Sequence, residues 1–567
     1  MASSEKGSLS SALKKIYSML SLDGKDISAI YLFAILGGLV QLTLPIGIQT
    51  IINFVQAGSI STSIIVLIIF VVAGTFINGL LQVRQMQYTE KIQQKIYIRY
   101  SFAFVDTLPK LDIQKLDKYY LPELVNRFFD TTTFQKGIAK LLLDIPTATI
   151  QIVFGLILLS FYHPVFIVFG ITLAFLLFLI LKLTANEGFT TSMQESDYKY
   201  KTAAWIEEMA RAIKTFKYAK DNDLHLKVND QLTGKYIESR TAHFKILQTQ
   251  YWSLISFKII ITAGMLIVGA FLLVDQQLNI GQFIAAEIVI LSVISSVEKF
   301  ITSLDVVYDT ITASEKLHKI TNSALEQEGS LVLPAKSEGV EIAFQNVTFS
   351  YNNEENVINN LTLELPKNSC TAIMGLSGSG KSTLLRMLTG AFHQLDGRVL
   401  VDDVPIDNYT ISSLRNNAGV LLSNQDIFLG SVMDNITMGD SAISIDHITS
   451  LAKELGFLGS FQQYPNGFDT MLDSEGKKLS RKEVKKILLL RALVGQQRLL
   501  LLEEPFNDLD PEQVKNVVNY ISKLQHTTTV FTTTNIKVCQ SFNRIVWIEK
   551  GTAVAIGNWS TIEPFTK

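Results

Sequence analysis

Charge is what this chain has least of. Asp, Glu, Lys and Arg make up 18% of its 567 residues, where a soluble domain carries about 25%. The 50 basic and 52 acidic residues leave a formal net charge of -2. That balance excludes the polybasic surface of a nucleic-acid binder and the high net charge of a disordered chain. Cysteine is scarce too. Cys370 and Cys539 are the only two, too few for a disulfide framework or a cysteine zinc site, and they read as inert thiols. The seven histidines form no closely spaced ligand pair, so nothing points to a metalloenzyme.

The missing charge is missing in blocks. Ile27–Val83 is a run of 57 residues without Asp, Glu, Lys or Arg. About 20 apolar residues cross a bilayer core, so this run holds two spans, with a break at 56–62. A second charge-free run, Ile145–Leu181, is divided by His163-Pro164. Trp252–Val274 contains only Lys258. The last apolar region, Ile280 to about Phe300, contains Glu287 and ends with Glu298 and Lys299. The expectation is six spans, at about 27–54, 62–83, 141–162, 165–183, 252–274 and 280–300.

The short connections within the hairpins carry no Lys or Arg. The alternate connections are long and basic, the first with Arg84, Lys91, Lys95, Arg99, Lys110, Lys115, Lys118, Arg127, Lys136 and Lys140, the second from Lys182 to about Gln250. The N-terminal arm adds Lys6, Lys14, Lys15 and Lys25. This bias places the long connections and both chain ends in the cytoplasm. A secretory signal is excluded, because the first apolar stretch is too long and continues into a second span. Leu9–Leu22 reads as an amphipathic helix at the inner membrane surface, or as a tail with a few apolar residues. Gln82–Asp106 and Tyr198–Tyr218 lack Pro and Gly and mix polar with apolar residues at helical spacing. Helices are therefore expected to continue beyond the bilayer, as solvated extensions or as rods that carry movement. Glu287 either lines a translocation path or is a buried acid bonded to a neighbouring helix. Lys258 and Glu298 either pair or snorkel.

After Ile320 the composition changes. Residues 321–339 read as a polar linker, and from Val340 short β-rich runs alternate with helical stretches, the pattern of an α/β domain. Gly375-Leu376-Ser377-Gly378-Ser379-Gly380-Lys381-Ser382 fits G-x-x-x-x-G-K-[ST], between a plausible strand (Ser369–Met374) and a helix opening at Thr383. The glycines let successive N–H groups turn toward phosphate. Lys381 adds a point charge, and the Ser382 hydroxyl can ligate magnesium.

Six spans, long cytoplasmic connections, a linker and a P-loop domain resemble a half-transporter of the ABC exporter family. Further segments carry the likeness: Phe344–Tyr351, Gly397–Leu414, Leu278–Ala285 and Lys115–Asp130. It implies an all-α six-helix transmembrane domain (1–320), the linker (321–339) and an α/β P-loop nucleotide-binding domain (340–567). It also implies ATP and Mg2+ as cofactors. Tyr351 would stack on adenine. Ser377, Gly378, Ser379, Gly380, Lys381, Ser382 and Thr383 would hold the phosphates. Ser382 and Glu503 would hold the metal, and Glu504 would be the general base.

The likeness also shows where this chain departs from the family. Leu499–Pro505 ends in Glu503-Glu504, where the first acid is usually Asp. Leu479-Ser480-Arg481-Lys482-Glu483 stands in place of LSGGQ, with Arg and Lys for the two glycines. Ser423 falls on the loop glutamine, with Gln425 the alternative in a shorter loop, and Thr534 falls on the switch histidine. Binding is thus kept better than hydrolysis. The expected function is ATP-dependent export, peptide or protein favoured, by a dimer in the cytoplasmic membrane. The alternatives are a weakly hydrolysing subunit of a heterodimer, and an ATP-gated channel or receptor. The expected partners are a second half-transporter (the same chain or another), membrane lipid and, on the protein-exporter reading, a periplasmic adaptor. An arm of about 26 residues before the first span leaves no room there for a peptidase domain.

Overall fold

The structure, a computed structural model, describes residues 9–58, 62–112, 121–220, 223–351, 355–393 and 395–566. Lys6, residues 59–61 of the first short connection, Lys115 and Lys118 lie outside them. The chain divides into two compact units, Met1–Leu111 with Lys118–Ser323, and Asp112–Asp117 with Ala324–Lys567.

The first unit is helical. Its main elements are α1 (Leu9–Leu20), α2 (Gly24–Gln41), α3 (Thr43–Gln56), α4 (Thr62–Thr107), α5 (Asp130–Tyr162), α6 (Val165–Arg211), α7 (Leu224–Val274), α8 (Ile280–Thr302) and α9 (Leu304–Thr321). Among the described residues six helical segments are long and apolar enough to cross a membrane. Several are far longer than a bilayer requires. The 51 residues of α7 extend roughly 76 Å at 1.5 Å per residue, against about 30 Å of hydrocarbon, so more than half of the helix lies beyond the bilayer.

The first apolar run is not one rod. Its helix breaks at Leu42, between α2 and α3. Pro45 lacks the N–H that would bond the Gln41 carbonyl, so the turn between them cannot close. The Gln41 side chain meanwhile accepts a bond from Gln151 Nε2 (2.6 Å), and Gln151 Oε1 accepts one from Ser296 Oγ (2.8 Å). This polar ladder ties α2, α5 and α8 together inside the apolar bundle. Gly137 brings α5 close to α9, since a Cβ there would lie 1.6 Å from Thr310 Oγ1.

Helix α1 packs part of its apolar stripe onto the bundle, while Leu13 and Tyr17 stay exposed. Ala12 and Ile16, one turn apart, are buried in the helical core, and Lys15 Nζ pairs with Glu315 Oε2 of α9 at 2.8 Å. Asp23 and Asp26, at the start of α2, are buried because Lys95 reaches both (3.0 and 2.7 Å) and Arg99 reaches Asp23 (3.1 Å). Lys258 pairs with Glu298 at 2.6 Å. Glu287 Oε2 is buried with no hydrogen-bond partner among the described residues.

The second unit is α/β. Its strands are β1 (Ile342–Phe349), β2 (Ile358–Leu365), β3 (Cys370–Met374), β4 (Asp396–Val401), β5 (Val404–Pro405), β6 (Ala418–Leu421), β7 (Gly430–Ser431), β8 (Met471–Leu472), β9 (Leu499–Glu503), β10 (Thr528–Thr532), β11 (Ile545–Glu549) and β12 (Thr552–Gly557). The helices that matter for the site are α10 (Lys381–Met387), α11 (Arg481–Leu493) and α12 (Pro511–Ser522). A six-stranded sheet runs β12-β11-β3-β10-β9-β6, and an antiparallel sheet runs β2-β1-β4-β5. Strands β11, β3, β10, β9 and β6 are parallel. Every residue of β9 is buried, as a strand covered on both faces requires.

The division between the units falls after Ser323, and the polar segment that follows is fastened to the second unit. Glu326 accepts a fork of two bonds from Arg415 (2.7 and 2.8 Å). Arg498, almost fully buried, donates to the carbonyls of Pro334, Glu338 and Gly339 and to Asp402 Oδ2 (2.7 Å).

Candidate functional site

Parallel strands put their C-terminal ends on one edge, which is where α/β sheets bind ligands. The register shows which residues arrive there together. Thr532 of β10 lies opposite Ile373 of β3 on one side and Glu503 of β9 on the other. The loop after β3, the acid pair after β9 and Thr533-Thr534 after β10 therefore emerge side by side. The Thr533 N–H bonds the Ile373 carbonyl (3.2 Å), and the Glu504 N–H bonds the Thr532 carbonyl (3.1 Å).

The loop after β3 is shaped for phosphate. Gly375 and Gly380 have φ of 151° and 101°, and Cβ atoms there would lie 2.1 Å from the Ile548 carbonyl oxygen and 2.8 Å from the Ile358 side chain. No other residue type fits those two positions without displacing its neighbours. Ser377 and Gly378 sit exposed at the loop's crest, while Ser379, Gly380 and Thr383 are buried and Lys381 and Ser382 are half-buried. Lys381 Nζ donates to the carbonyls of Gly375 (2.8 Å) and Leu376 (2.7 Å). Its ammonium thus lies inside the loop's own curve. Burial pushes Lys381 down from the usual lysine value, and the Glu504 charge opposes that. A cradle of glycines, a central ammonium and the adjacent Ser382 hydroxyl fit a nucleotide triphosphate with its magnesium. Tyr351 stands at the rim, its hydroxyl 3.0 Å from Thr383 Oγ1 and its ring edge-on to Phe349 and Phe392.

The acid pair is held from several sides. Glu503 Oε2 accepts the Ser423 N–H at 2.8 Å. Glu504 has a positive φ of 44°, a strained conformation for a non-glycine residue, and its Oε2 accepts the Thr534 N–H at 3.3 Å. Burial raises the Glu504 carboxyl above the usual range, against the pull of Thr534, Lys381 and Lys485. Ser423 and Thr534 therefore reach the acids through their main chains. Gln425 turns back on its own loop, its Oε1 accepting the Leu422 N–H at 3.2 Å.

Sequence reasoning missed Lys485. It sits on α11, half-buried, with Nζ 3.4 Å from the Glu503 main-chain oxygen. Burial lowers it from the usual lysine value, and Asp508, Glu504 and Glu503 oppose that with their charges.

The segment Leu479–Glu483, at the start of α11, is closed on itself. Ser480 Oγ accepts the Glu483 N–H (3.3 Å), Glu483 Oε2 accepts the Ser480 N–H (2.7 Å), and Tyr464 donates to Glu483 Oε1 (3.0 Å). This capping box puts a carboxylate on the N-terminus of α11, where the helix dipole favours it. Burial pushes the Glu483 carboxyl up, but these bonds outweigh it and hold it below the usual range. Lys482 pairs in its own chain with Asp510 at 2.6 Å, and Arg481 is exposed.

A P-loop and an acid pair on one edge of a parallel sheet, in a chain that also carries six apolar spans, define a membrane-bound nucleotide-binding protein. The chain matches the ABC transporter transmembrane region over residues 27–297 and the ABC transporter domain over residues 358–507. It belongs to the ABC transporter family, with the membrane region and the nucleotide domain in one polypeptide, and it is a multi-pass membrane protein.

Among its relatives is the alpha-hemolysin translocation ATP-binding protein of Escherichia coli O157:H7, 28% identical over 285 residues, 50% of this chain and 40% of that one. The lactococcin-G-processing and transport ATP-binding protein of Lactococcus lactis subsp. lactis is 24% identical over 450 residues, 77% of this chain and 62% of that one. The chain spans less than two thirds of the length of either. A bacterial Atm1-family ABC exporter, solved with ATP bound, shares the fold with a TM-score of 0.82 at 18% identity, covering 96% of both chains.

Proposed function

We propose that this chain is one half of an ATP-driven exporter in the cytoplasmic membrane, with both termini in the cytoplasm and a second half-transporter as its partner. The observation that carries this reading is the shared sheet edge that gathers Lys381, Ser382, Glu503 and Glu504. In it the P-loop and Lys381 bind the triphosphate. Ser382 and Glu503 would hold magnesium, which when bound neutralises phosphate charge. Tyr351 takes the adenine, and Glu504 accepts the proton of the attacking water. The exposed aliphatic rows of the spans, such as Ile65, Ile69, Val72 and Phe76 of α4, suit lipid. The names of the alpha-hemolysin and lactococcin-G relatives favour a peptide or protein as cargo, and a periplasmic adaptor accompanies only the protein-exporter form.

A second reading, a weakly hydrolysing subunit of a heterodimer, is favoured by the closed capping box, the Lys482–Asp510 pair and Thr534 in place of histidine. An ATP-gated channel or receptor is the third, and single-channel recording addresses the channel form. The deciding experiment is ATP hydrolysis by the purified full chain in nanodiscs, alone and with Glu504→Gln. Slow but measurable turnover, abolished by Glu504→Gln, supports the exporter half acting with a weakened site of its own. Negligible turnover alone, restored by a partner chain, supports the second reading.

A further inference from the structure

We infer that a polar cavity among α5, α6 and α9 is a binding site for one primary ammonium group. The cavity measures about 120 Å3 and lies wholly within the helical unit, beyond the apolar spans. The exporter reading above is needed only to place it on the cytoplasmic side and to name a source for the ammonium. Three carboxylates line it: Asp130 at the start of α5, Glu195 of α6 and Asp309 of α9. Asp130 is almost fully buried. Lys199 Nζ stands 3.7 Å from its Oδ1, and Tyr200 also approaches it. Its Oδ2 is nevertheless buried with no hydrogen-bond partner among the described residues. A buried carboxylate oxygen without a donor is costly, so it marks a place that a ligand's donor would fill.

The rest of the lining defines the kind of donor. Glu195 is taken up by Arg240 of α7, which donates to both of its oxygens (3.0 and 3.3 Å). Asp309 is exposed at the mouth, and its Oδ1 accepts from a neutral hydroxyl, that of Ser192, at 3.3 Å. The lining and its direct partners therefore set three carboxylates against two cations, Lys199 and Arg240. One negative charge is left to be matched. Hydroxyls of Thr133, Ser196 and Thr312 share the wall and can accept further N–H bonds. A primary ammonium carries three donors and no acceptor, which suits a wall of carboxylates and hydroxyls. Among the described residues no group of three or more His, Cys, Asp and Glu could hold a metal ion, so an organic cation fits better than a bare one. The volume is several times the roughly 10–15 Å3 that a single water needs, enough for the ammonium and the methylenes behind it. Such a group arrives on a free polyamine or on a lysine side chain of a peptide, the cargo class favoured above.

The test is equilibrium binding of radiolabelled putrescine to the full-length protein in nanodiscs of zwitterionic lipid, with thermal unfolding as the check on folding. Saturable binding is expected in the wild type. Asp130→Asn and Asp309→Asn are each expected to weaken it about tenfold, from the loss of one nearby charge. Asp309 is exposed, so its variant keeps the test sound if Asp130→Asn fails to fold. Displacement of putrescine by a tripeptide with one central lysine, blocked at both ends, and not by its acetyl-lysine counterpart, supports the site as one for a peptide's ammonium. Putrescine binding that this peptide leaves in place supports it as one for a free polyamine. Displacement by K+ or Mg2+ at the same concentration as putrescine would overturn the inference, because charge attraction alone would then suffice. Equal binding by wild type and Asp309→Asn would also overturn it, as would the lack of saturable binding by the folded wild type. The assay requires no turnover, so a failure of the exporter reading would not alter any of these outcomes.

Discussion

At the P-loop, Gly375 and Gly380 hold backbone conformations that leave space for phosphate, and Lys381 sits within the curve they make. At the start of α11 stand Arg481 and Lys482, where the family resemblance leads one to expect two glycines open to a facing phosphate. There Ser480 and Glu483 satisfy each other, and Lys482 is bound to Asp510. Both regions carry basic side chains, yet only the first has the shape for phosphate. Charge survives substitution more easily than geometry. An ammonium can attract phosphate from many positions, whereas a ring of N–H donors needs residues without a Cβ at fixed points. A chain that keeps the first region and alters the second should bind nucleotide well and turn it over slowly, because phosphoryl transfer depends on positioning.

The comparison breaks first at Lys381. Lys381→Ala is expected to weaken ATP binding about 100-fold, roughly 2.8 kcal/mol, whereas Arg481→Gly with Lys482→Gly should leave it within about threefold. Isothermal titration of both variants measures the contrast, and equal losses would mean that the two regions do not differ as described. A smaller effect sharpens it. Arg481→Gly, Lys482→Gly and Thr534→His combined are expected to raise the hydrolysis rate about tenfold with little change in affinity. An unchanged rate in a phosphate-release assay would place the limit on turnover elsewhere.

The membrane half was legible because lipid tolerates no scattered charge. Runs such as Ile27–Val83 and Ile145–Leu181 mark their own limits. What composition did not reveal was the break at Leu42, since a proline inside an apolar run looks apolar and its missing N–H is felt only by the Gln41 carbonyl. For α1, periodicity showed an apolar stripe but not what covers it. That depends on Glu315, 300 residues further along the chain.

In the nucleotide domain the P-loop and the acid pair were legible because each needs particular side chains in a row. The roles of Ser423 and Thr534 were not, because both act through N–H groups that every residue except proline carries. Lys485 was hidden for another reason. Its closeness to Glu503 comes from the packing of α11 beside β9, and nothing in the sequence next to it announces that contact.

One measurement tests the central claim most directly: the dissociation constant for Mg-ATP and the steady-state hydrolysis rate, taken on a single preparation of the wild-type chain in nanodiscs. The account expects saturable micromolar binding together with a turnover well below the roughly 1 per second at the low end of ordinary enzymes. Fast turnover by the chain alone, with Arg481, Lys482 and Thr534 in place, would contradict it.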